Sequence, residues 1–174
     1  MKGIIVVKPQ QCVGCKACEL ACAVEHSESK SLLPSMDEKK TPQTRIQIVK
    51  GEGNNVPIQC RHCAKPPCVP ACPTKALFRK DQESPVVVDQ SLCIGCKKCV
   101  LACPFGAIRL DETTHELIKC DQCFERLKRG EPPACTESCL TKALEFKSID
   151  EIVEKKRSAF LVMIERSFEP KLPV

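Results

Sequence analysis

Apolar positions gather into short β-branched runs separated by polar, turn-forming stretches, with one longer periodic segment near the C-terminus. GIIVV at 3–7, TRIQIVK at 44–50, PVVVD at 85–89 and HELIK at 115–119 read as brief strands. Three of them, GIIVV, PVVVD and HELIK, deliver the chain to a cysteine-rich loop. Between Cys22 and Cys60 lie 37 residues, and SESKSLLPSMDEKKTPQ within them is polar and turn-rich. This stretch, about 27–57, reads as a surface excursion that could meet a partner. SIDEIVEKKRSAFLVMIERS follows a capping Ser148 with mixed apolar periodicity, predicting a helix over about 149–166. EKKR at 154–157 is its solvated face, and FEPKLPV is a tail.

No run approaches the roughly 18 apolar residues of a membrane span. GIIVV is too short for a signal-peptide core, and no twin arginine precedes it. The expectation is a cytoplasmic chain with reduced thiols.

Composition changes the picture of the core. The 174 residues fit one domain, or one domain with an insertion, yet Trp and Tyr are absent and Phe occurs only 6 times. Cysteine occurs 16 times. Without an export signal, that density points to metal ligation instead of a disulfide scaffold. The cysteines fall into four groups of four: Cys12, Cys15, Cys18, Cys22; Cys60, Cys63, Cys68, Cys72; Cys93, Cys96, Cys99, Cys103; and Cys120, Cys123, Cys135, Cys139. Groups one and three read C-x2-C-x2-C-x3-C, while groups two and four widen the middle gap to x4 and x11. CPTKAL at 72–77, CPFGAI at 103–108 and CLTKAL at 139–144 repeat after the last cysteine, predicting a ligand loop followed by a helical turn.

A cubane needs four thiolates aimed from different directions, and three at x2 spacing wrap one side of it. In the C-x2-C-x2-C-x3-C-P pattern of two-cluster ferredoxins the last cysteine ligates the other cluster. Groups two and three, 20 residues apart, both finish in Cys-Pro and make this exchange within 58–110. One cluster falls to Cys60, Cys63, Cys68 with Cys103, and the other to Cys93, Cys96, Cys99 with Cys72. Pro73 and Pro104 stand where a helix could start. Groups one and four then complete a second module, 1–57 with 111–147, holding clusters by Cys12, Cys15, Cys18 with Cys139 and by Cys120, Cys123, Cys135 with Cys22. There Ala23 and Leu140 replace the prolines. Residues 148–174 form the C-terminal helix and tail.

Gly14, Ala17, Ala64 and Gly95 keep the loops small enough for backbone N–H groups to face sulfur. Lys16, Lys65 and Lys97 read as surface lysines, His62 as a polar loop residue, and His26 and His115 as surface.

Zinc is the competing chemistry, but three cysteines at successive x2 spacings plus a fourth at x3, as in groups one and three, exceed what one tetrahedral site needs, and zinc does not account for all four groups. The formal charge of +5 invites a nucleic-acid reading. Four oxidised cubanes, each −2 with its thiolates, turn that into about −3, and no aromatic and basic interleaving of the base-stacking kind is present. No phosphate loop, dinucleotide fingerprint or nucleophile elbow occurs, and every expected iron has a thiolate. The chain is expected to move electrons without transforming a substrate.

These motifs resemble a known family, the four-cluster iron-sulfur subunits of the dimethyl sulfoxide reductase type, including small subunits of formate dehydrogenases, formate hydrogenlyase and carbon monoxide dehydrogenase complexes. The resemblance spans about 3–147 and is carried by C-x2-C-x4-C-x3-C-P at Cys60 to Pro73 and C-x2-C-x11-C-x3-C at Cys120 to Cys139. It implies an α+β fold of two pseudo-symmetric ferredoxin-like modules, one inserted in the other, four [4Fe-4S] clusters with the crossed ligation above, and a redox-enzyme partner in a hetero-oligomer. Some relatives replace a third-group cysteine; here all four stand. Membrane-attached relatives add a C-terminal anchor, which is not expected here. CELACAVEHSESK at 18–30 looks most like the soluble partners of nickel carbon monoxide dehydrogenase, followed by partners of formate dehydrogenase or hydrogenase. A free polyferredoxin shuttle is the alternative.

Overall fold

In the computed structural model, residues 3–82 and 84–168 are described, so the expected tail after Phe168 lies outside the described residues. The chain runs through β1 (Ile4–Val7), α1 (Ala17–Glu25), α2 (Leu32–Met36), β2 (Ile46–Lys50), β3 (Asn55–Gln59), β4 (Leu77–Phe78) and β5 (Val87–Val88). It continues through α3 (Lys98–Ala102), β6 (Ile108–Leu110), β7 (Leu117–Lys119), α4 (Phe124–Lys128), α5 (Ala134–Glu137), β8 (Leu144–Lys147) and α6 (Ile149–Phe168). The result is a small α+β fold. Among the described residues no helix is long and apolar enough to cross a membrane.

The strands form four two-stranded antiparallel ribbons. β1 pairs with β8, setting Val7 opposite Leu144 and Ile4 opposite Lys147, so the two ends of the cysteine-bearing chain are sewn together. β4 pairs with β5 in the middle of the chain. The hairpins β2–β3 and β6–β7 each join consecutive strands. An isolated two-stranded ribbon is marginal in water, so each must gain its stability from what it packs on.

Two apolar cores supply that support. Ile5, Cys18, Cys22, Ile46, Cys135 and Leu144 form one, and Cys68, Leu77, Val86, Cys99, Ile108 and Leu117 form the other. The first draws its thiols from groups one and four, the second from groups two and three. Ile46 is 2% exposed, so the 27–57 segment is not all surface: its second half enters the first core. Leu117 packs in the second core, so the β6–β7 hairpin straddles the boundary expected near residue 110.

The Cys-Pro steps behave differently from the expectation that helices start there. Helical turns precede the fourth cysteine, as in α3, or contain it, as in α1. After Cys72, Cys103 and Cys139 the chain makes a tight turn, closed by Lys75 N–H to Cys72 O, Gly106 N–H to Cys103 O and Lys142 N–H to Cys139 O. Lys75, Gly106 and Lys142, which close the three turns, all have positive φ. Proline suits the second position of such a turn, which is where Pro73 and Pro104 sit. Group one departs because α1 runs on through Cys22, and His26 N–H bonds Cys22 O. Ala23 is therefore a helix-interior residue.

The expected C-terminal helix is present and runs two residues further, to Phe168. Ser148 Oγ accepts from Glu151 N–H while Glu151 accepts from Ser148 N–H, a reciprocal capping box. Among the described residues none of its apolar side chains joins either core, and Phe160, Leu161 and Met163 are exposed.

Two substitutions separate the helix from the turns. Ala23→Pro should lower the urea midpoint for loss of cluster absorbance by an amount equivalent to ~3 kcal/mol. Leu140→Pro, at the matching position of an exposed turn, should move it by less than ~0.5 kcal/mol.

Candidate metal centres

Each C-x2-C loop bends through left-handed backbone, at Gly14 and Lys16, His62, Gly95 and Lys97, and Gln122 and Cys123. A Cβ on Gly14 would lie 2.9 Å from the Asn55 amide nitrogen, so glycine serves both the φ of +74° and the close approach. These bends and their neighbours turn N–H groups onto sulfur. His62 N–H donates to Cys60 Sγ (3.4 Å), Gln122 N–H to Cys120 Sγ (3.4 Å), Arg45 N–H to Cys22 Sγ (3.2 Å) and Leu144 N–H to Cys139 Sγ (3.4 Å). Such donors stabilise negative sulfur. Lys16 and Lys97 cap α1 and α3 with their backbone in the left-handed region. The Lys97 side chain is exposed and pairs with Glu112, in line with a surface role.

The fold brings the sequence groups together in a crossed pattern. One cavity is lined by Cys12, Cys15, Cys18 and Cys139, with Ile48 and Leu144 beside them. A second is lined by Cys72, Cys93, Cys96 and Cys99, with Leu77 and Leu117. Cys60 and Cys103 both act on the Cys68 thiol, and Cys22 acts on Cys120, Cys123 and Cys135. Cys63 follows in the loop of Cys60, where Arg79 donates to the carbonyls of His62 (2.8 Å) and Cys63 (2.9 Å).

Burial makes these thiols poor acids. It pushes Cys18 up to about 12, with Glu19, Cys139 and Cys12 adding to the effect, and pushes Cys99 up to about 11. Burial likewise takes Cys123 up to about 12, and Cys120 and Cys135 are held far above the usual thiol range. Four soft sulfurs converging on an apolar wall, with N–H groups behind them, fit a compact cationic iron core that supplies the missing positive charge. All sixteen cysteines are free thiols.

His26 corrects the sequence expectation of a surface residue. Its ring Nδ1 donates to Cys22 O at 2.7 Å, and Nε2 meets Asp121 at 3.1 Å. The last turn of α1 packs against the loop of group four, which the linear sequence does not show. Burial opposes charge on the ring, but hydrogen bonds with Asp121 and Cys22 outweigh it and hold His26 up at about 9. Asp121, half-buried like His26, is kept well below the usual carboxylate range by His26 and by Arg45 at 2.7 Å. His62 proves more enclosed than a loop residue: its Nδ1 accepts from Val86 N–H, and burial together with Lys119 lowers its pKa to about 3. His115 is exposed as expected.

Lys119 is the residue that sequence reading missed. It is 4% exposed, and its ammonium donates to Val86 O (2.6 Å) and Cys120 O (2.9 Å). The signal was available, since strand alternation puts Lys119 on the same face as the buried Leu117.

Comparison with known proteins identifies the family. The 4Fe-4S dicluster domain family matches residues 52–149, and the 4Fe-4S binding domain family matches residues 9–25. The B subunit of anaerobic dimethyl sulfoxide reductase from Escherichia coli is 37% identical over 163 residues, covering 86% of this chain and 75% of that protein. This chain belongs to the iron-sulfur subunits of the dimethyl sulfoxide reductase type. A Rhodospirillum rubrum "iron-sulfur protein" is 39% identical over 159 residues, covering 84% of this chain and 83% of its own length. The putative electron transport protein YsaA of Escherichia coli is 36% identical over 154 residues, 87% of this chain and 94% of that one. The sixteen thiols accordingly serve four [4Fe-4S] clusters in an electron-transfer subunit that is not itself the catalyst.

Because the raised thiol pKa values mean protons must leave before sulfur can bind iron, reconstitution with iron and sulfide should yield less cluster absorbance as pH falls from about 8 to about 6. Chelating the iron should then convert a trypsin-resistant chain into a rapidly cleaved one, since both cores are built on the ligating thiols.

Proposed function

We propose that this chain is an electron wire in which the four groups exchange their fourth ligands, giving the sets Cys12, Cys15, Cys18, Cys139; Cys22, Cys120, Cys123, Cys135; Cys60, Cys63, Cys68, Cys103; and Cys72, Cys93, Cys96, Cys99. A bound cubane takes up and releases one electron with little structural change. The two modules are 58–110, inserted, and 1–57 with 111–147, enclosing, followed by 148–174. Support comes from the two cores, which divide the thiols in that way.

The carrying observation is the order of neighbours. Cys18 of the first set shares a core with Cys22 and Cys135 of the second, Lys119 bridges Cys120 O to the carbonyl of Val86 in the core of Cys68, and Cys68 packs there with Cys72, Cys93 and Cys99. The sets thus line up as first, second, third and fourth in the order given. Cys15 and Cys96 are exposed, whereas Cys22, Cys120, Cys123 and Cys135 are all buried. Electrons enter and leave at the Cys15 and Cys96 ends.

The partner is an oxidoreductase subunit, as the name of the Escherichia coli reductase relative describes for that protein. From CELACAVEHSESK the partner we favour is nickel carbon monoxide dehydrogenase, relaying to a hydrogenase or other acceptor, with formate dehydrogenase or hydrogenase complexes second. The compartment we favour is the cytoplasm, where a reducing environment keeps cluster-ligating cysteines from pairing as disulfides.

Cys22→Ser tests the exchange: it should disturb the cluster of group four and spare the one at Cys12, Cys15 and Cys18, and loss of the latter alone would refute it. Whole protein should carry about 16 iron atoms. Purified from its host under anoxic, low-salt conditions, it should bring a redox enzyme with it; emergence alone would leave the shuttle reading.

A further inference from the structure

A lysine ammonium at 4% exposure is costly to bury unless an anion faces it. Among the described residues no ion pair involves Lys119. The acidic residues nearest in sequence are engaged elsewhere, Asp121 with His26 and Arg45, and Glu116 with Lys40. Its two hydrogen bonds go to neutral carbonyls, Val86 O and Cys120 O. These fix the head group's position and leave its charge uncompensated.

The ammonium sits where two ligand sets approach each other: it holds Cys120 O at 2.9 Å, and Val86, whose carbonyl it holds at 2.6 Å, packs in the core of Cys68. β7 carries Lys119 beside Leu117, which packs in the core of Cys68. The chain then passes directly into Cys120. Each cubane with its thiolates carries −2 when oxidised and −3 when reduced. A fixed positive charge in a poorly screened interior therefore favours the reduced form of both.

We propose that Lys119 is a shared buried counter-charge for the two middle clusters of the wire, raising their reduction potentials above those they would have alone and so helping electrons cross between the modules. The proposal rests on the crossed ligation given under the proposed function. Lys119 acts through charge and position, without ligating iron.

The test is an anaerobic redox titration of the full chain, followed by electron paramagnetic resonance, on wild type, Lys119→Met and Lys119→Arg, with iron counted in each. In Lys119→Met two of four clusters should titrate at more negative potential, their reduced-to-oxidised ratio at the wild-type midpoint falling by about tenfold, or about 59 mV for a one-electron couple. The other two should keep their midpoints, and Lys119→Arg should hold all four near wild type. Unchanged potentials in Lys119→Met at full iron content would overturn the counter-charge role. So would an equal shift in Lys119→Arg, or loss of iron from both variants, each of which makes Lys119 a structural tether. Failure of the ligation itself would be seen separately, in the iron and cluster pattern of Cys22→Ser.

Discussion

Bringing thiolate sulfurs together in a dry interior is the constraint from which the rest of this molecule follows. Desolvation and mutual repulsion both oppose ionisation, which is why the thiols of Cys18, Cys120, Cys123 and Cys135 are held so high. Iron and sulfide resolve the conflict by placing a cationic core among the sulfurs. The chain supplies no Trp or Tyr to fill the space instead. Its aliphatic residues, such as Leu144 and Leu77, each about 1% exposed, pack around the thiols as walls. The cores and the cofactor sites are thus one structure.

Short elements suit this task. Strands of two to five residues cannot stand as independent sheets, but they need only lead each loop to a shared centre and close behind it. Pairing of β1 with β8 spans almost the whole cysteine-bearing chain, so Cys139 can face the loop of Cys12. Left-handed residues within the loops point N–H groups at sulfur, and the turns after Cys72, Cys103 and Cys139 release the chain immediately into a strand. Each backbone bend thus serves ligand geometry and topology together.

Charge is distributed with the same economy. Positive groups inside the fold are each held by partners: Arg45 and His26 by Asp121, Arg126 by Glu25, and Lys119 by the carbonyls of Val86 and Cys120. The remaining lysines lie mostly outside, where water screens them and the net charge of +5 offsets the clusters. Cys15 and Cys96 are exposed, whereas Cys22, Cys120, Cys123 and Cys135 are buried.

Cysteine spacing determined the cofactor class and carried the family resemblance, because three thiols at x2 intervals are a local geometric requirement written contiguously in the chain. Short strand-like runs likewise marked β1, β2, β5 and β7, and Ser148 marked the start of α6, since each depends on near neighbours. Proline in Cys-Pro was legible as punctuation but not as a turn in place of a helix start, a choice made by the strand that must follow. Only tertiary structure decided that His26 leaves the surface for Asp121, 95 residues away, and that Arg79 braces a loop 16 residues earlier. It also decided that Lys119 is buried between the carbonyls of Val86 and Cys120. Those outcomes depend on desolvation and on charges arriving from distant segments, and such fields exist only once the chain has folded around its thiols.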